Sequence, residues 1–214
     1  PLSLIVEADK EPPLGNGPWG AAFFYVDDLG KTFAYRVSDL SGDNVCTGLV
    51  RIRDSLPPDL QCLPVEVPCI VPVEHLNPYF LRDTLGVWDA VPQWSDNCDV
   101  DVDLAFVDVR TDYPCDSTGV AGVVTRFWTA LDASNNVATC VQTIVRSRLV
   151  TDVQFPLDGT WGCSPGPLPE VTGWPFVQLA DRQYLLTDTA SCGFEITFQD
   201  SEQVNCGAGR LING

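Results

Sequence analysis

The chain has 214 residues, with 17 glycines, 17 prolines, nine cysteines and a formal charge of −17 from 29 acidic and 12 basic side chains. Such an acidic excess repels a nucleic-acid backbone, and no apolar run is long enough to span a bilayer, so neither nucleic acid nor membrane insertion is expected. Abundant glycine, proline, threonine, valine and aspartate, without the apolar spacing of an amphipathic helix, predict an all-β chain with frequent turns.

In chain order, Leu2, Leu4 and Val6 alternate with Ser3 and Glu7 in a first strand. A Pro/Gly-rich turn from Glu11 to Gly20 follows, then an aromatic strand from Ala21 to Val26. The Asp27-Asp28-Leu29-Gly30 turn leads into a strand from Thr32 to Val37 and on to Cys46. Asp54-Ser-Leu-Pro-Pro58 reads as a stiff hinge, because consecutive prolines restrict their own φ and the residue before them. Further on, Asp99, Asp101 and Asp103 alternate with Val100, Val102 and Leu104. That alternation predicts three carboxylates on one strand face and the apolar residues in the core. Methionine is absent, even at position 1, which suggests a processed product or a fragment.

The cysteines recur with one period. Cys46 and Cys140, Cys69 and Cys163, and Cys98 and Cys192 are each separated by 94 positions. The flanking text agrees: Tyr35-Arg-Val-Ser-Asp39-Leu-Ser-Gly-Asp-Asn-Val-Cys46 echoes Trp128-Thr-Ala-Leu-Asp132-Ala-Ser-Asn-Asn-Val-Ala-Thr-Cys140. A period of this size suits one small β-sandwich per repeat. Residues 1–54 then read as the second half of a sandwich repeat, 55–148 as a complete repeat, and 149–214 as the first part of another. Incomplete sandwiches expose core and strand edges, so two readings stand together: head-to-tail joining of copies by strand complementation, or a piece of a longer polypeptide.

Nine cysteines in an acidic, loop-rich β chain point to an oxidising compartment, extracellular or at the cell surface. No C-x-x-C occurs and His75 is the single histidine, so a structural zinc site is not expected. If the recurring cysteines pair within a unit, Cys98 joins Cys115, Cys192 joins Cys206, and Cys69 joins Cys140. Cys46 and Cys163 are then the two halves of one missing bond, open to pairing between subunits. Cys62 is left over, either free or bonded to Cys69 or Cys46.

The runs Asp96-Asn97-Cys98, Thr125-Arg126-Phe127-Trp128 through Asp132-Ala-Ser-Asn-Asn136 to Cys140, and Pro57-Pro58-Asp59-Leu60-Gln61-Cys62 resemble hyalin-repeat (HYR-like) modules. They are similar to repeats of very large secreted surface proteins of the Bacteroidetes-like kind. The resemblance implies tandem immunoglobulin-like β-sandwiches stapled by disulfides, export from the cell, and a structural or adhesive role without enzyme activity. Its partners would be the chain itself or adjacent repeats, glycans, or other surface proteins. Asn135 departs from the pattern, standing where glycine is usual. Related secreted proteins carry O-linked sugars at Asp-Ser/Thr motifs; the matches here are Ser55, Thr84, Ser117 and Thr189.

Weighed by chemistry, the Asp99/Asp101/Asp103 row is either a solvated strand face or part of a calcium site, since hard cations take several oxygen ligands. No other cofactor is expected. Trp19, Trp161 and Trp174 stand beside Gly or Pro in loops where a sugar-binding platform is one reading, while Trp128 reads as core. No strained nucleophile motif such as G-x-S-x-G and no phosphate-binding glycine loop is present. The alternative to a fibre or adhesin segment is a carbohydrate- or calcium-binding module of a secreted enzyme.

Overall fold

The computed structural model describes residues 3–114, 119–157, 168–187, 192, 196–197, 201–205 and 209–213, the last two stretches by their backbone. The chain is mostly β, as its composition predicts. It divides into two compact units built from discontinuous stretches. One comprises residues 1–59, 95–104 and 130–138; the other comprises 60–94, 105–129 and 139–214.

The first unit is organised by a sheet of four strands: β1 (Leu4–Asp9), β2 (Gly20–Ala21), β3 (Thr32–Asp39) and β4 (Val45–Arg51), in the order β2-β1-β3-β4. Antiparallel pairing sets Val6 opposite Val37 and Val37 opposite Cys46, so these three share one face with Leu4, Tyr35 and Val50. Phe33 and Ala8 are buried on that face, whereas Leu4 and Val6 stay exposed. Tyr35 lies across Gly48: a Cβ there would come within 2.7 Å of the ring.

The Glu11–Gly20 turn is closed by Asp9, which is buried and accepts hydrogen bonds from the backbone N–H groups of Glu11, Gly15 and Gly17 at 3.1, 2.7 and 2.9 Å. The expected strand from Ala21 to Val26 shrinks to the two residues of β2. Asp28 explains this: its carboxylate takes the Tyr25 N–H at 3.0 Å and turns Val26–Asp28 into one 3-10 turn. Phe23 and Tyr25 are left exposed.

The second unit contains β6 (Val65–Pro68), helix α1 (Pro78–Leu85), and most of the long strands β8 (Asp103–Asp112), β9 (Val120–Leu131) and β10 (Val137–Ser147). These strands form a sheet in the order β6-β10-β9-β8, with β6 parallel to β10. Short strands β5 (Asp59–Gln61) and β7 (Gln93–Ser95) pair with each other. A three-stranded sheet combines β11 (Val153–Gln154), β12 (Phe176–Leu179) and β13 (Arg182–Leu185). The one-turn helix α2 (Pro169–Thr172) precedes β12, and β14 (Ser201–Asn205) pairs with β15 (Gly209–Asn213).

The core of this unit gathers Val65, Val67, Val71, Leu81, Val124 and Ile144 with Val177, Tyr184 and Leu186. Trp128 is buried as expected and packs on Phe106 at 5.1 Å between ring centroids. Its indole N–H donates to Gln142 Oε1 at 3.1 Å. Gln142 Nε2 in turn donates to the carbonyls of Leu63 and Asp89 at 2.9 and 2.6 Å. Arg126 is fully buried, donates to both carboxylate oxygens of Asp108 and to the Leu76 carbonyl, and stacks over Phe106.

Helix α1 was not expected from apolar spacing. Its signals are local: Asn77 caps Tyr79 and Phe80, Pro78 takes the first helical position, and Gly86 closes it with φ 72°.

The disulfides differ from the expected pairing. Cys62 bonds Cys140 and Cys69 bonds Cys192. Parallel β6 explains why Cys69 does not meet Cys140. Val65 stands opposite Ile144 and Pro68 opposite Ser147, and the Cys69 N–H donates to the Ser147 carbonyl at 2.7 Å. Cys69 is thus seven residues along β10 from Cys140, roughly 20 Å at strand rise, well beyond the reach of a disulfide. Cys62, seven positions earlier, falls beside Cys140. Cys98 and Cys46 are free thiols. Cys115, Cys163 and Cys206 lie outside the described residues.

Candidate functional site

In the first unit the loop from Asp96 to Asp103 departs from the expected strand face. Asp96 Oδ1 accepts the N–H groups of Cys98 and Asp99 at 2.8 Å each, and Asp101 accepts the Val102 N–H. These carboxylate-capped turns keep residues 99–102 out of the sheet, which begins at Asp103. Val100 is 98% exposed instead of entering the core, while Val102 is buried.

The carboxylates that converge are therefore Asp54, Asp96 and Asp99, with oxygens within 4.8 Å of one another; Asp101 and Asp103 are not of this group. Asp99 Oδ2 accepts the Ala133 N–H at 3.0 Å. One oxygen each of Asp54 and Asp96 is buried without a hydrogen-bond partner. Oxygen ligands grouped in this way suit a hard divalent cation such as calcium.

Cys98 lines a cavity of about 460 Å³ together with Tyr25, Leu29, Ile52, Arg53 and Leu56. Burial pushes its thiol pKa up, and the charges of Asp54, Asp96 and Asp99 push it the same way. A thiol held protonated is a poor nucleophile, so the environment runs against a catalytic cysteine. Cys46, on β4, is exposed.

Two turns in this unit are bonded alike. Asp39 accepts the Asn44 side chain at 2.7 Å and Ser41 Oγ at 2.8 Å, and Asp132 accepts the Asn136 side chain at 2.8 Å and its N–H at 2.7 Å. Hydrogen bonds from Asn44 and Ser41 hold the Asp39 carboxyl well down, to about 2. Burial would raise the pKa of Asp132, but its bonds from Asn136 outweigh that and leave it below the usual range. Both aspartates therefore act as turn braces, their oxygens already taken by hydrogen bonds within the turn.

In the second unit an open cavity of about 770 Å³ is lined by Ile70, His75, Asp83, Arg182 and Tyr184 among others. His75 stacks on Phe80 at 4.4 Å, and its Nδ1 lies 3.4 Å from the Tyr184 hydroxyl, so no Ser-His-Asp relay is assembled there among the described residues. Trp19 is half-buried beneath Arg36, and Trp174 is half-buried; Trp161 lies outside the described residues. Ser55 is exposed and Thr84 half-buried on α1, while Ser117 and Thr189 lie outside the described residues.

Among the described residues no helix is long and apolar enough to cross a membrane. The chain matches no known family, no curated protein and no solved structure.

Proposed function

We propose that this chain is a structural or adhesive segment of an extracellular fibre or surface protein, built from repeated disulfide-stapled β-sandwiches of immunoglobulin-like type. It carries out no catalysis and works through its surfaces, toward itself, glycans or other surface proteins. The observation that carries this reading is the doubled turn: Asp39 with Asn44 and Asp132 with Asn136 recur 93 and 92 positions apart, within two residues of the 94-residue cysteine period, and brace the same kind of hairpin. The strand orders support it, since β1-β3-β4 in one sheet parallels β8-β9-β10 in the other. Disulfides and strong acidity suit an oxidising, crowded exterior. Antibody labelling of intact cells that make the protein tests the reading. Label on unpermeabilised cells is expected; label only after permeabilisation contradicts it.

A second reading, a calcium-binding module of a secreted enzyme, is favoured by the two buried, unpartnered oxygens of Asp54 and Asp96. Calorimetric titration with calcium chloride distinguishes it. Binding near one ion per chain that disappears in Asp96→Asn supports calcium; a flat titration removes it.

A further inference from the structure

The edge of β10 shows how this architecture is finished. Strand β6 adds to it in parallel, from Val65 opposite Ile144 to Pro68 opposite Ser147, and a disulfide pins each end: Cys62 to Cys140, and Cys69 to Cys192. The two incoming cysteines are seven positions apart. They match the seven-position separation on β10 between Cys140 and Ser147, whose carbonyl takes the Cys69 N–H.

Moved back by one 94-residue period, Cys140 becomes Cys46, Ser147 becomes Arg53, Arg148 becomes Asp54, and Cys192 becomes Cys98. These positions lie in the first unit, where no added strand is paired among the described residues. Strand β4 is the edge of its sheet, with no strand paired beyond it among the described residues. Cys46 stands free and exposed near its start. Seven residues on, Arg53 and Cys98 line one cavity. Asp54 borders Cys98 there, as Arg148, donating to the Cys192 carbonyl at 3.0 Å, borders Cys192. An open edge thus has a thiol at one end and a second thiol in a cavity at the other.

Building on the repeat reading proposed above, we infer that the outer edge of β4 is a docking site for an extended segment of the Asp59–Cys69 type, with two cysteines seven positions apart. It adds parallel to β4, its first cysteine bonding Cys46 and its second bonding Cys98. Charge agrees with this occupant. Glu66 stands opposite Val145 in the finished sheet, and Arg51 holds the period-shifted place of Val145. A second copy of this chain fits less well. Its Val153–Cys163 stretch carries Pro156 where Cys62 would be, and so supplies one thiol where the edge offers two. Each bond forms as two thiols lose their hydrogens to one molecule of oxidised glutathione, which becomes two molecules of the reduced form.

The test is to incubate the full chain in a glutathione redox buffer with a synthetic peptide of residues 57–70, and to map the disulfides by mass spectrometry. The inference expects one peptide per chain, with the cysteine of position 62 on Cys46 and that of position 69 on Cys98. A peptide carrying Val65→Asp and Val67→Asp should be captured at least tenfold less, because the strand no longer packs. Equal capture of both peptides, scrambled bonds, covalent dimers through Cys163, or no capture would each overturn the docking site. The same digest reports Cys62–Cys140 and Cys69–Cys192. If these are present and the peptide is not captured, only the docking inference fails; if they are absent, the stapled-repeat reading fails with it.

Discussion

Gly42 and Asn135 take the same left-handed backbone step, with φ 77° and 68°, in two turns whose leading aspartates, Asp39 and Asp132, both receive an asparagine side chain. In each turn the left-handed residue donates its N–H to the carbonyl of that aspartate, at 3.1 and 3.2 Å. Asparagine is one of few non-glycine residues that adopt this region readily, so its presence at 135 preserves the turn. Asn135→Gly should change stability by no more than about 0.5 kcal/mol, and Asn135→Val should destabilise by about 1–2 kcal/mol, because a β-branched side chain is strained there. Urea denaturation of the two variants checks this.

The depressed carboxyls fix the sign of the pH response. Asp39 has its pKa held at about 2 by Asn44 and Ser41, and Asp9, Asp28 and Asp132 are also lowered. A group whose folded pKa lies below its unfolded value, near 3.8 for aspartate, stabilises the fold above that unfolded value. The contribution is lost as pH falls through the folded one. The urea midpoint should therefore fall progressively from about pH 4 to pH 2, and Asp39→Asn should flatten part of that slope. A midpoint that rises on acidification would contradict the assignment.

Gln142 connects three buried groups: the Trp128 indole N–H and the carbonyls of Leu63 and Asp89. Gln142→Leu keeps the bulk and strands all three, so a loss of about 2–4 kcal/mol is expected. Trp128→Phe alone should cost less, and the double variant should cost less than the sum of the two. A thermodynamic cycle measured by denaturation reads the coupling directly.

Asp108 holds the fully buried Arg126 through two hydrogen bonds at 2.7 and 2.8 Å. Its own side chain is 32% exposed, so water screens part of the pair. Asp108→Ala should destabilise by about 2 kcal/mol, while Asp103→Ala, at the start of the same strand, should change little. Thermal melts of the two variants check the contrast.

What could be read in the sequence was what local text encodes. The Asp39 and Asp132 turns, Trp128 in the core and the β-rich class follow from turn residues and alternation. The disulfides were not legible, because they depend on β6 pairing parallel to β10, a contact between segments nearly 80 residues apart. Without that register, Cys69 with Cys140 is as good a pairing as any other. The acidic group differs for a similar reason: alternation puts Asp99, Asp101 and Asp103 on one face, whereas Asp99 meets Asp96 and Asp54 through tertiary folding. Helix α1 carried its signals in Asn77, Pro78 and Gly86, but its eight residues are too few for an apolar period to stand out.

A disulfide-stapled β repeat matured in an oxidising compartment, as proposed here, carries its record in its cysteines. The most direct measurement is disulfide mapping of the native protein, with free thiols alkylated in the living culture before any handling. Cys62 joined to Cys140 and Cys69 joined to Cys192 are expected. Full alkylation of these four cysteines, or Cys69 found on Cys140, would contradict the stapled repeat.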